Sequence, residues 1–197
     1  MKKTKRRFLS SYSVFNIVII AVCAGLGIAV KPVLVPLVHI ITGPLFIPGG
    51  AVAGGFYMLF IVLAAGLVRK PGAAVLTCAV QAILVIITGV IGSHGIMSLA
   101  TYILPGAAVD LFLLTLRKKE MGALVIFISG LIANLTGSFL SNVVFFRLPI
   151  VPLMLTLFSA SLSGGLGGLI AFGIIKKITQ FNPAFKKTDK EVGTHGE

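Results

Sequence analysis

Acidic residues are nearly absent from this chain. Of 197 residues, 5 are Asp or Glu, against 17 Lys or Arg. Glu120, Asp189, Glu191 and Glu197 lie in polar connections or the tail, so the apolar body from about residue 13 to 175 holds a single carboxylate, Asp110. That scarcity excludes paired-carboxylate acid–base chemistry inside the body. Cysteines are also few. Cys23 and Cys78 lie in apolar runs with no partner at ligand spacing, and they read as small buried hydrophobes. Of the three histidines, His39 and His94 fall in or beside the body, without a carboxylate at matching depth, which makes a poor metal site. No Ser/His/Asp or Cys/His arrangement is present there, so neither an enzyme nor a resident metal is expected. The glycines of the sixth apolar run have no lysine at Walker spacing, so a phosphate-binding loop is not expected either.

What the chain has is hydrocarbon. It is 57% hydrophobic and 11% charged, with a mean hydropathy of +1.08. A soluble domain of this length cannot hide so much apolar surface. Several runs approach or exceed the roughly 18 residues that cross a bilayer core. Backbone groups in hydrocarbon must be satisfied internally, so the fold class is all-α, polytopic, with six spanning helices. The spans are expected over about 14–30, 50–68, 73–90, 96–116, 122–146 and 152–175. They divide the chain into a basic head at 1–13, a transmembrane body at 14–175 and a polar tail at 176–197. Residues 32–49 carry Pro32, Pro36, Gly43, Pro44 and Pro48, together with His39. They read as an apolar cap lying on the outer side after the first span. The basic head could open a signal peptide, but five further spans speak against it. Val22 before Cys23 does not suit a lipobox.

The cations sort by side. With both termini cytoplasmic, the inside receives the five of the head, Arg69 and Lys70, Arg117 to Lys119, and the five after residue 175. The outside keeps only Lys31 and Arg147. This asymmetry orients the chain and accounts for the formal net charge of +12 without nucleic acid.

Polar side chains inside the spans are the candidate site. Gln81 lies seven residues before Thr88 on one face of span three. Asn134, Ser138 and Ser141 share a face of span five, with Asn142 at its border. At a rise of about 1.5 Å per residue, Asn142, Tyr102, Gln81 and Asn134 lie roughly 6, 9, 13 and 18 Å below the outer edge. With His94 in the adjoining loop, they can line a pocket open to the outside. The alternative is that each is an interhelical hydrogen bond, worth about 0.6 kcal/mol. Asp110 shares a helical face with Tyr102 and Gly106, about 21 Å down. It can form the pocket floor, snorkel toward the cytoplasmic cations or serve a subunit contact. Ala21, Gly25 and Ala29 form a small-residue stripe on span one that admits close approach of another helix. The glycines of spans two and six read as close-packing positions.

Six spans with both termini inside, the stripe on span one, the apolar segment after it and an outward polar pocket resemble the substrate-binding S component of energy-coupling factor (ECF) vitamin transporters. The likeness covers nearly the whole chain. Arg69-Lys70-Pro71-Gly72-Ala73-Ala74, then Gly89 and the turn at Gly92, looks like the YkoE-type S components linked to thiamin or hydroxymethylpyrimidine, and Leu104 to Asp110 is loosely similar. In the helix after Lys-Pro-Gly, thiamin-binding relatives carry acids, where this chain has Thr77, Cys78 and Val85 with Gln81. The resemblance implies a vitamin-like ligand held by spans four to six under the 32–49 cap. It implies that Ala21, Gly25 and Ala29 face a transmembrane T component. It also implies no cofactor in this chain, the ATP being used by two partner ATPases. Two rival readings remain at this level: a self-contained proton-coupled carrier using Asp110, and a structural membrane subunit.

Overall fold

A computed structural model describes residues 12–89, 97–116 and 121–181. The described residues form six α-helices and no strand: α1 (Val14–Thr42), α2 (Gly49–Val68), α3 (Ala73–Thr88), α4 (Met97–Thr115), α5 (Ala123–Ser141) and α6 (Ile150–Phe181). Four stretches are long and apolar enough to cross a membrane: α1 with its following turn, α2, α5 with its π-helical extension Asn142–Phe146, and α6. The apolar helices α3 and α4 are shorter.

Local chemistry sets the ends. Ser13 caps α1, its side chain accepting from the Asn16 N–H at 3.3 Å. Arg69 ends α2 in the left-handed region, and Gly72 opens α3 at φ 88°, a conformation glycine adopts without strain. The α2–α3 turn is tied to the start of α1, because the Tyr12 hydroxyl donates to the Pro71 carbonyl at 2.6 Å. Burial and the nearby Asp110 carboxylate push that hydroxyl up to about 12, so it keeps its proton at ordinary pH.

The expected cap over 32–49 is a correction. The helix does not stop near Val30. It runs through Pro32 and Pro36 to Thr42, and only residues 43–48 leave it, through a 3-10 turn at Gly43–Leu45. The physical reason is the solvent. Each proline removes one backbone hydrogen bond, whereas unwinding the segment in hydrocarbon would leave many more groups unsatisfied. Gly43, Pro44 and Pro48 together do break the helix. The Thr42 hydroxyl donates to Ile47 O at 2.9 Å, and the Gly49 N–H donates to His39 Nδ1 at 3.2 Å, folding the turn back onto α1. The last helix also overruns its expected end, carrying Lys176 and Lys177 as far as Phe181.

At the centre stands α2, buried over most of its length and packed against α1, α3, α5 and α6. Glycine lets the backbones meet. A Cβ on Gly55 would lie 2.0 Å from Ser163 O, and one on Gly130 would lie 2.3 Å from Gly164 O. The Ser163 hydroxyl adds a bond to Val52 O, and its oxygen accepts from the Gly55 N–H at 3.0 Å. The core below the site is aliphatic, with Val62, Ala64, Val109, Ile126 and Ala171 all buried.

Candidate functional site

A cavity of about 340 Å³ opens among the six helices, and every one of them contributes to its wall. α1 presents Gly27, Lys31, Val35 and His39, which recur every four residues and so share one face. α2 adds Tyr57 and Met58, α3 adds Gln81, and α4 adds Thr101 and Tyr102. Gly137, Ser138, Ser141 and Asn142 come from α5 and its extension, and Thr156 from α6.

Among the described residues, the charged side chain of the wall is Lys31. Its ammonium lies 4.4 Å from the centroid of the Tyr102 ring and 5.3 Å from that of Tyr57, and it donates a hydrogen bond to the Tyr102 hydroxyl. The Tyr57 hydroxyl is held at 2.7 Å by Gly50 O. The Gln81 side chain packs on Gly27, where an added Cβ would lie 2.3 Å from Nε2. The buried Thr156 hydroxyl has no hydrogen-bond partner among the described residues. Asn142 does two things at once. Its Oδ1 accepts from the Leu148 N–H at 2.9 Å, which holds the α5–α6 turn, while the residue itself lines the cavity. The extension it begins is a π-turn, a form of helix frequent at functional sites. His39 accepts at Nδ1 from Gly49, so the ring carries its proton on Nε2.

The sequence-predicted residues divide. Gln81, Tyr102, Ser138 and Asn142 come together in the cavity wall. Asn134 does not reach it. Its Nδ2 donates to Ala51 O and Ala160 O, each at 2.8 Å, so the side chain bridges α5 to α2 and α6. Asp110 is not the pocket floor. It accepts from the Val75 N–H at 2.8 Å and the Ala74 N–H at 3.4 Å, capping the start of α3 from the neighbouring α4. An anionic group belongs at a helix N-terminus, where unpaired N–H groups and the helix dipole favour it. His94 lies outside the described residues. Of the proposed docking stripe, Ala21 and Ala29 are exposed, and a Cβ on Gly25 would meet nothing within 4 Å.

Sequence reasoning missed Lys31, Tyr57 and Thr156. Lys31 read as a boundary cation because Pro32 follows it. The signal that could have found it is the four-residue spacing of Gly27, Lys31, Val35 and His39, which makes sense only if the helix continues through the prolines.

Residues 14–136, more than half of the chain, match the family model described as ABC-type cobalt transport system, permease component. No curated protein matches. Among solved structures, one described as the crystal structure of an S-component of an ECF transporter shares the fold. Its TM-score is 0.73 at 21% identity, over 94% of this chain and 99% of that one.

Proposed function

The chain belongs to the family of ABC-type cobalt transport system permease components, and from that premise we propose that it is the membrane-embedded substrate-binding (S) subunit of an ECF-type importer for a vitamin or related small molecule. The observation that carries this reading is the cavity. It is enclosed by all six helices, it has the volume of a small-ligand site, and it combines aromatic walls with a few polar groups. Although the family description names cobalt, an organic ligand suits this wall better: its charged side chain is a cation, and among the described residues no three His, Cys, Asp or Glu gather as a metal site.

The other subunits follow from the same reading. A T component docks on the Ala21, Gly25 and Ala29 face, two ATPases supply the energy, and the chain lies in the plasma membrane with both termini cytoplasmic. The exposure of the stripe and the open space at Gly25 support the docking assignment. A proton-coupled carrier working through Asp110 is less well supported, since that carboxylate is engaged by α3.

The test is reconstitution in proteoliposomes. The chain alone should bind its ligand without sustained uptake, and uptake should appear when T component, ATPases and ATP are added. Sustained uptake by the chain alone under a proton gradient would replace this reading with the carrier.

A further inference from the structure

The charge of the cavity narrows the ligand, and this inference rests on the binding-subunit reading above. Lys31 lies about 26 Å along α1 from Val14, within a stretch apolar enough to span a membrane. An ammonium in the wall of a largely apolar cavity costs free energy unless it is paired or hydrated. Its partners among the described residues are the Tyr102 hydroxyl and the two tyrosine rings. The rings attract the cation, but they carry no counter-charge. Among the described residues no carboxylate lines the cavity. Asp110, the one acid of the apolar body, is spent on the α3 N–H groups.

Neutral polar groups around the cation are also free to serve a ligand. Because the Asn142 Oδ1 is taken by Leu148, that amide has its Nδ2 donors left for a ligand. Gln81 makes no hydrogen bond within the described chain, so its amide is available to a ligand in the cavity, and so is the unpartnered hydroxyl of Thr156. Each of these groups can serve a ligand as donor, and Gln81 and Thr156 also as acceptor, so the charge preference of the cavity rests on Lys31.

We propose that the cavity selects a small planar molecule bearing a carboxylate or phosphate group, whose anionic oxygens pair with the Lys31 ammonium between Tyr57 and Tyr102, and that it discriminates against permanent cations. The ligand supplies the counter-charge that the protein omits. Among the described residues the empty site gives this cation no counter-charge, and occupancy relieves its electrostatic cost.

The experiment uses the full chain purified in mild detergent. Native mass spectrometry identifies any retained compound, and thermal stabilisation compares nicotinate, nicotinamide and 1-methylnicotinamide, methylated on the ring nitrogen, as matched anion, neutral molecule and cation. Pyridoxine phosphate against pyridoxine forms the phosphate arm. The expected result is a retained acid, or stabilisation by the anionic member of a set alone. Whichever arm responds separates carboxylate from phosphate. Lys31→Gln should weaken that binding roughly thirtyfold or more, the usual consequence of removing one partner of a buried charge pair. Lys31→Arg should retain most of it and serves as the control if the Gln variant folds poorly. A retained cation, stabilisation by 1-methylnicotinamide, no response to any anion in protein purified empty, or unchanged affinity in Lys31→Gln would each overturn the proposal. A cationic ligand that is still imported with partner ATPases would remove only the charge assignment. Absence of both binding and partner-driven uptake would remove the binding-subunit reading as well.

Discussion

Two polar residues of the apolar body have uses opposite to their chemical appearance. Asp110 is an acid at membrane depth, yet its geometry is that of a helix cap supplied from a neighbouring helix. Asp110→Ala should therefore lower stability by about 1–2 kcal/mol, as loss of an N-cap does, and leave ligand affinity unchanged. Thermal unfolding in detergent and a binding titration on the same sample check both halves. Asn134 is equally structural, since its amide nitrogen joins backbone carbonyls of α2 and α6. Asn134→Ala should lower the unfolding temperature through the loss of two buried hydrogen bonds, about 1 kcal/mol each. Tyr102 behaves otherwise because it lines the cavity and accepts from Lys31. Tyr102→Ala should weaken ligand binding while the fold survives, and equal affinities for it and the native protein would move the site away from α4.

At the scale of the helix, glycines with the same composition serve different purposes according to what stands opposite. Gly130 faces the backbone of α6, with Gly164 O 2.3 Å from the position a Cβ would take, and a carbonyl cannot move aside as a flexible side chain would. Gly130→Ala should destabilise by roughly 1–3 kcal/mol, the usual range for overpacking, read as a fall in unfolding temperature. Gly25 meets nothing within 4 Å. Gly25→Leu should fold and bind ligand normally, and it should fail to co-purify with a T component, because the added side chain stands where the partner helix would approach. Normal co-purification would place the docking face elsewhere. The length of α1 is the other decision made at this scale. Continuing through Pro32 and Pro36 carries Lys31, Val35 and His39 down one face into the cavity, where a helix ending at Val30 would leave them in a surface loop.

For the whole molecule, six helices surround a cavity and leave Ala21 and Ala29 exposed on the outer face of α1. The chain contributes no nucleotide-binding motif of its own, so ATP-dependent uptake should require the other subunits, and a variant impaired only in the cavity should assemble with them normally. Co-purification of Tyr102→Ala with the T component, measured beside its ligand affinity, separates the two faces.

The sequence by itself determined the class and much of the layout. Hydrocarbon content and the need to satisfy backbone groups require helices. The punctuation at Arg69-Lys70-Pro71-Gly72, Arg117 to Lys119 and Arg147 to Pro149 placed most of their ends within a few residues. Helical spacing put Ser138 on one face of α5 with Ser141, and both line the cavity. The same spacing offered Asn134 and, beside Tyr102, Asp110, which do not, because periodicity within a helix does not say which neighbour its face meets. The tertiary structure alone decided the rest. Whether a proline breaks a helix depends on the medium around it. Whether Asp110 meets a ligand or a helix terminus depends on which helix is its neighbour. Lys31 became part of the site only through tyrosines 26 and 71 positions further along the chain, and the α1–α2–α4 packing that joins them is not written in any local pattern.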